Sequence, residues 1–308
     1  MTNNIQRILI TGGTGYVGKV LCKYLSQKKY HVTLLVRRKP EIEYFDNIFF
    51  FKEPEDIKKN YFFNIDAVVH LAGNSHDTSN KDNFEKYIKT NVALTKKIIN
   101  ICVDLNVSKF IYISSVKACG VDGKKCSNEI TQILPIDSYG LSKLEAEKVL
   151  LRSIEKANTK LTILRPALIY GPKPKGNLKL LEKSIYYGLF PPLPKINNKR
   201  SMIHIDDVIR GISFFLFRED KNGEIYNLTD GKDYSTYDIY SYFMGYYNKK
   251  IPSWHLKIGF LNFLCKMSSG FRHKISKLLS SECYSNEKLT RKGFIPKKDL
   301  SKMHETSF

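Results

Sequence analysis

Thr11-Gly12-Gly13-Thr14-Gly15-Tyr16-Val17-Gly18 decides the fold of this chain. Residues 5–11 before and within it are a short apolar run ending in glycines, the pattern of a buried strand. Residues 16–27 follow with Val17, Val20, Leu21 and Leu25 at helical spacing. Strand, glycine turn and helix in that order make a phosphate cradle. Gly12 permits the tight turn, Gly15 lets a pyrophosphate approach the backbone, and Gly18 lets the helix pack on the strand. The helix N-terminus brings unpaired N–H groups and a partial positive charge to face the phosphates. Thr14, Tyr16 and Val17 complete the predicted dinucleotide contacts. The glycine count alone would also suit an ordinary loop; the flanking strand and helix carry the argument.

Working outward, strand-like runs recur at 31–36, 47–52, 67–72, 110–114 and 161–166, with helical stretches at 83–105 and 138–156. This alternation predicts an α/β fold, a Rossmann-like doubly wound parallel sheet with its active site at the carboxyl ends of the strands. After Pro166 the texture changes. Pro172, Pro174, Pro191, Pro192 and Pro194, with Gly171 and Gly176, mark where the chain leaves the sheet to build a smaller α/β lid. Residues 206–218 and 224–228 read as a helix and strand that come back. The predicted division is a dinucleotide-binding domain over 1–171, with 201–229 returning to it, and a substrate domain from 172–200 and 230–308.

The second strand ends in Arg37 and Arg38, where an NAD site usually has an acid about 20 residues beyond the glycines. A carboxylate repels a 2′-phosphate, whereas a guanidinium pairs with it. NADP(H) is therefore the expected cofactor, with NAD(H) and two merely solvated arginines left open.

The 308 residues carry 50 Lys and Arg against 30 Asp and Glu, a net charge of +20. Such a balance suits polyanionic partners, but no nucleic-acid-binding motif accompanies it, so nucleic acid is not expected. Aromatic residues at 12% exclude a disordered basic tail. Cys22, Cys102, Cys119, Cys126, Cys265 and Cys283 show no zinc-ligand spacing, so no metal is expected and the thiols read as reduced. No signal pattern opens the chain, and no apolar run approaches the roughly 18 residues that span a bilayer. A cytoplasmic enzyme is the expectation. Between Trp254 and Ser281 apolar and basic residues mix without an acid, so peripheral contact of 254–281 with an anionic inner membrane surface stays open beside simple packing on the lid.

Tyr139 and Lys143 stand at i and i+4 near the start of the 138–156 helix, on one face. A nearby ammonium is expected to lower the tyrosine pKa, so that the phenol can exchange a proton with a substrate oxygen while a nicotinamide moves a hydride. Ser114 and Ser115 end the preceding strand, where a hydroxyl can orient the same oxygen.

The glycine turn, Leu71-Ala72-Gly73, Asn91, Ser115 and the Tyr139/Lys143 pair together resemble the extended short-chain dehydrogenase/reductase family over essentially the whole chain. The resemblance places Leu71, Ala72, Gly73, Tyr139, Lys143 and Pro166 at the cofactor. It favours Ser115 over Ser114 as the catalytic serine, because Ser115 lies five residues before Gly120; the family's tyrosine before that glycine is Cys119 here. The segments 165–172, 176–178 and 200–207 are similar to members acting on nucleotide sugars, which implies that Asn177 and Arg200 contact the sugar nucleotide. Asn177 also reads as a helix N-cap. Ser75, His76 and Asp77 read equally as pocket lining or as a solvated loop. His70 reads as packed structure, and the Asn91 amide as binding water or backbone. The acids of 53–56 fall where the family touches adenine.

Dehydration would require Asp-Glu directly after the catalytic hydroxyl, and Val116-Lys117 stands there instead. The pattern is similar to bacterial 4-reductases acting on UDP-4-keto-6-deoxy-N-acetylglucosamine in surface-polysaccharide (lipopolysaccharide O-antigen) synthesis. It implies NADPH-dependent reduction of a 4-keto nucleotide sugar, with Tyr139 protonating the oxygen, Ser115 orienting it and Lys143 holding the nicotinamide ribose. A UDP-hexose or UDP-N-acetylhexosamine 4-epimerase is the alternative, and a non-catalytic NADP-binding regulator a further one. Family members are often dimers through a helix bundle, so a homodimer is left open.

Overall fold

A computed structural model describes residues 5–41, 43–74, 84–122, 125–131, 133–259, 275 and 278–308. Strand β1 (Arg7–Thr11) is an interior strand of a seven-stranded sheet, all parallel, in the order β3 (Asn47–Phe50), β2 (His31–Val36), β1, β4 (Ala67–His70), β5 (Lys109–Ile113), β6 (Lys160–Pro166), β9 (Glu224–Leu228). The reversal of strand order beside β1 opens a crevice at the carboxyl edge, where ligands of such sheets bind.

Period-two alternation assigns each strand residue to a face. Ile8, Ile10, Val32 and Leu34 point to the face covered by α1 (Tyr16–Gln27) and α6 (Ile205–Leu216), through Leu21, Leu25, Ile209, Ile212 and Phe215. Leu9, Leu35, Val68 and Phe110 point to the other face. There α3 (Leu94–Asp104) and α4 (Ser138–Ser153) supply Ile98, Cys102, Ala146 and Leu150. These side chains are essentially fully buried, and each large aliphatic contributes roughly 1.5–3 kcal/mol. Two sandwiched layers therefore hold the strand ends rigid beneath the site.

The second part begins at β7 (Leu168–Tyr170), which pairs in parallel with β8 (Arg200–His204); antiparallel β10 (Asp233–Tyr234) completes a three-stranded sheet. Helices α5 (Gly176–Tyr186) and α7 (Thr236–Tyr246) pack on one another around Tyr170, Leu178, Ile185, Met202, Tyr240 and Phe243. Helix α6 and β9 carry the chain back to the main sheet, and α8 (Glu287–Arg291) packs on β9. The helical stretch predicted over 83–105 is broken: α2 (Phe84–Tyr87) passes through a π-turn at Ile88–Ala93 before α3 begins. Among the described residues no helix is long and apolar enough to cross a membrane.

The expectation of reduced thiols fails for one pair. Cys126 and Cys283 form a disulfide, while Cys22, Cys102 and Cys119 are buried free thiols. The cause is local pairing: Ser127 N–H donates to Cys283 O, and Ser285 N–H to Ser127 O, which holds the two Cα atoms 4.5 Å apart. Cys265 lies outside the described residues.

Candidate active site

The glycine turn is built for close approach. Gly12 has φ +71°, and a Cβ there would sit 2.7 Å from Ala72 N; a Cβ on Gly18 would sit 2.3 Å from Gly12 O. Gly15 is the N-cap of α1, and the first turn of that helix has no acid to neutralise its N–H groups. The residues present therefore fit a pyrophosphate. Thr14, Tyr16 and Val17 lie in this turn, Tyr16 donating from its hydroxyl to Pro172 O at the entrance of the lid.

Beyond β2 and β3 the crevice opens into a cavity of about 150 Å³, lined by Arg37, Phe51, Pro54, Ala72, Gly73 and Leu94, with Lys52, Glu53, Lys89 and Thr90 at its polar side. An apolar slot with charged rims fits an adenosine. Glu53 faces this cavity and pairs with Lys89 at 3.0 Å. Asp56 instead accepts from the backbone of Lys52 and Glu53, which holds its carboxyl below the usual range. Arg38 follows Arg37 at the exposed end of β2.

Helix α4 is capped by Asp137, whose Oδ1 accepts from Gly140 N–H at 2.7 Å. Tyr139 and Lys143 then project from its first two turns toward the ends of β4 and β5. Ser115 follows β5; its Oγ accepts from Lys117 N–H, and its hydroxyl lies near enough to the Tyr139 phenol to draw its pKa down. Neighbouring Ser114 is turned away, donating to Glu147 Oε1 at 2.5 Å in a buried pair with Arg165. Of the two serines, Ser115 therefore meets the tyrosine. Lys143 Nζ donates to Ile113 O at 3.0 Å and to Tyr112 Oη at 3.2 Å, and a Cβ on Gly73 would be 3.3 Å from it.

The expected lowering of the Tyr139 pKa by Lys143 is not what this arrangement does. Burial pushes the phenol up to about 12, against the opposing pull of the nearby Ser115 hydroxyl and with the carboxylate of Asp137 adding to the rise. Lys143 is itself brought down to about 8 by burial, partly offset by Glu147. Its ammonium is committed to Tyr112 and Ile113 instead. In this geometry Tyr139 is a phenol at neutral pH, a donor of protons.

A buried polar line runs underneath. Thr95 Oγ1 donates to Asn91 O, so His70 Nε2 carries the proton and donates to Thr95 at 2.9 Å. His70 Nδ1 then accepts from Thr11 Oγ1 at 2.6 Å, and Thr11 accepts from Ala72 N–H. Burial, with the charge of Lys143, brings His70 down to about 3 and keeps it neutral. The Asn91 amide holds both backbone groups of Asn74 and donates to Ser142 Oγ on α4. The π-turn aims it there, a recurrent use of such turns. Leu71, Ala72 and Gly73 are thus pinned from both sides.

On the lid side, Arg200 Nε donates to Thr236 Oγ1, Nη2 donates to Ser280 O, and Nη1 lies 3.8 Å from Glu282. Burial pulls its guanidinium down from the usual arginine range. Lys117, paired with Asp137 at 3.0 Å, is close enough to Arg200 and Glu282 to share their fields. Asn177 is exposed in the first turn of α5; the N-cap is Lys175 and not Asn177. Pro166 closes β6 beside the crevice. Ser75, His76 and Asp77 lie outside the described residues.

Sequence reading missed Tyr112, Thr95, Phe51 and Lys89. Only Phe51, directly after the third strand, left a positional signal.

The model of the NAD dependent epimerase/dehydratase family matches residues 8–229. A UDP-glucose 4-epimerase from Vibrio cholerae is 32% identical over 265 residues, covering 82% of this chain and 79% of that protein. The N-acetyl-alpha-D-glucosaminyl-diphospho-ditrans,octacis-undecaprenol 4-epimerase of Escherichia coli O157:H7 is 27% identical over 316 residues, covering 98% and 90%. The solved structure of MoeE5 in complex with UDP-glucuronic acid and NAD superposes with a TM-score of 0.79 at 20% identity, over 96% of both chains, a likeness of fold. With the family match running from β1 through the last strand of the main sheet, the chain belongs to the NAD dependent epimerase/dehydratase family and is an oxidoreductase-type enzyme.

Proposed function

We propose that the chain reduces the C4 ketone of a 4-keto sugar held on a nucleoside diphosphate, using NADPH. The observation that carries this is the gathering of Ser115 after β5 with Tyr139 and Lys143 of α4 at the carboxyl edge of the sheet, the phenol buried and kept protonated. The nicotinamide cofactor, when bound, supplies the hydride. Tyr139 gives its proton to the C4 oxygen, Ser115 orients that oxygen, and Lys143 beneath Gly73 holds the ribose side of the site. Gly12, Gly15 and Gly18 admit the pyrophosphate. Arg37 and Arg38, with no acid at the end of β2, support NADP(H) over NAD(H). Arg200 and Asn177 would take the sugar nucleotide from the lid.

The second reading is 4-epimerisation, favoured by the names of the two relatives, in which the C4 hydroxyl is first oxidised and then reduced. In that direction Tyr139 must begin as a phenolate in order to accept a proton, and its high pKa keeps the phenolate scarce at neutral pH. Incubating the protein with NADPH and a UDP-4-keto-6-deoxy-N-acetylhexosamine, while following nicotinamide absorbance, separates the two. Stoichiometric loss of NADPH is the expected result; interconversion of UDP-sugars without net loss establishes the epimerase. The same assay with NADH reports the cofactor preference. Tyr139→Phe should lower turnover on the order of 10²–10⁴-fold while cofactor binding persists. Unchanged turnover in that variant would remove the catalytic reading and leave a binding protein.

A further inference from the structure

The lid carries a face that the chemistry above does not use. At the end of α5, Tyr186, Tyr187 and Leu189 are 53%, 67% and 78% exposed. At the end of α7 and beyond it, Tyr246, Ile251, Trp254 and Ile258 are 48%, 42%, 62% and 46% exposed. The segments belong to one surface. Lys249 Nζ donates to Ile185 O and Tyr186 O, and Leu256 N–H donates to Pro192 O. The rings of Tyr186, Tyr247 and Tyr246 meet edge to face in sequence. Isolated exposed apolar side chains are ordinary, but a contiguous set marks an interaction site.

Charge identifies the partner. No Asp or Glu occurs between Lys183 and Ile205, nor between Ile239 and Ser281. The exposed charged residues interleaved with the rings are Lys183, Lys195, Lys250 and Lys257. A protein partner would meet this face with shaped pockets and paired acids. A set of exposed Trp, Tyr, Leu and Ile ringed by lysines on long stems, its neighbouring acid Glu182 taken up by Tyr247 and His304, fits an anionic bilayer surface. There the amphipathic rings settle among the headgroups, and ammonium groups stay at the phosphates. We propose that the end of α5 and residues 246–258 form a docking face for an anionic membrane, so that the enzyme works with its substrate lid against the bilayer. This stands apart from whether the site reduces or epimerises its sugar.

Trp254 is the single tryptophan of the chain, so its fluorescence reports this face alone. The full-length protein is mixed at low salt with vesicles of phosphatidylcholine containing phosphatidylglycerol, and with pure phosphatidylcholine. Expected are a blue shift of Trp254 emission and co-sedimentation with the anionic vesicles only, both reversed by high salt. Lys250→Glu with Lys257→Glu should weaken partitioning on the order of tenfold or more. Tyr187→Ser with Leu189→Ser should weaken it as well, and both double variants should keep thermal stability and cofactor binding. Trp254→Phe should lose the signal but still sediment. The proposal is overturned by absence of both shift and sedimentation at low salt, by binding indifferent to these substitutions, or by self-association that buries Trp254 without lipid.

Discussion

Tyr112 shows how much of the site's behaviour rests on groups that never touch a reacting atom. Its hydroxyl accepts from Lys143 Nζ, and the ammonium also lies 4.7 Å from the centre of its ring. Both contacts favour the charged lysine, opposing the burial that brings Lys143 down to about 8. The sign follows directly. Lys143 carries its charge below about pH 8 and loses it as the pH rises through that value, so kcat/KM should fall on the alkaline side of pH 8. Tyr112→Phe removes one acceptor from the ammonium, worth roughly 0.5–1.5 kcal/mol. The alkaline limb should therefore move about half to one pH unit toward acid, with kcat near pH 6.5 largely kept. A limb that stays in place would show that Tyr112 does not set the charge of Lys143.

At the scale of elements, α4 is tied to the sheet by one buried ion pair. Glu147 accepts two hydrogen bonds from Arg165 of β6 and one from Ser114 after β5, with both charged side chains almost fully buried. Arg165→Met strands the carboxylate and should cost about 3–5 kcal/mol; adding Glu147→Leu should recover most of it. Chemical unfolding of the three proteins checks this, and equal stability of the single and double variants would contradict it. The elements themselves were legible because each parallel strand is an uninterrupted apolar run and each covering helix repeats its apolar face. Strand ends came within about two residues of the sequence reading, and the serine–tyrosine–lysine cluster fell at the predicted edge. The π-turn around Asn91 was not legible, since no residue pattern distinguishes its widened turn from an ordinary helix. Nor was the reversal of the Tyr139 shift. Spacing along a helix says that Tyr139 and Lys143 share a face, but not that Lys143 is already engaged by β5 or that burial outweighs its charge. The cavity behind Phe51 depends on a loop whose path is set by tertiary contacts alone.

For the whole molecule, the Cys126–Cys283 disulfide joins positions 157 residues apart. It connects the loop after Ser115 to the tail that supplies Glu282 and Tyr284 beside Arg200. Constraining so long a loop in the unfolded chain is worth about 2–4 kcal/mol, so a reductant should lower the melting temperature by several degrees. Cys126→Ser should melt at the lower temperature with or without reductant; a wild-type melt insensitive to reductant would remove the bond from the stability of the fold. No spacing in the sequence could announce it, because the two cysteines meet only after the lid has folded back. The two neighbouring polar stretches, Lys143–Tyr112 and Thr95–His70–Thr11, have a consequence of another kind. Set end to end they resemble a wire, yet His70 would have to become an imidazolium, and burial brings its pKa down to about 3. The line is an insulator. In the proposed reaction, protons given to the substrate are replenished from the opposite bank of the crevice, where Asp137 and Lys117 are part-exposed to water.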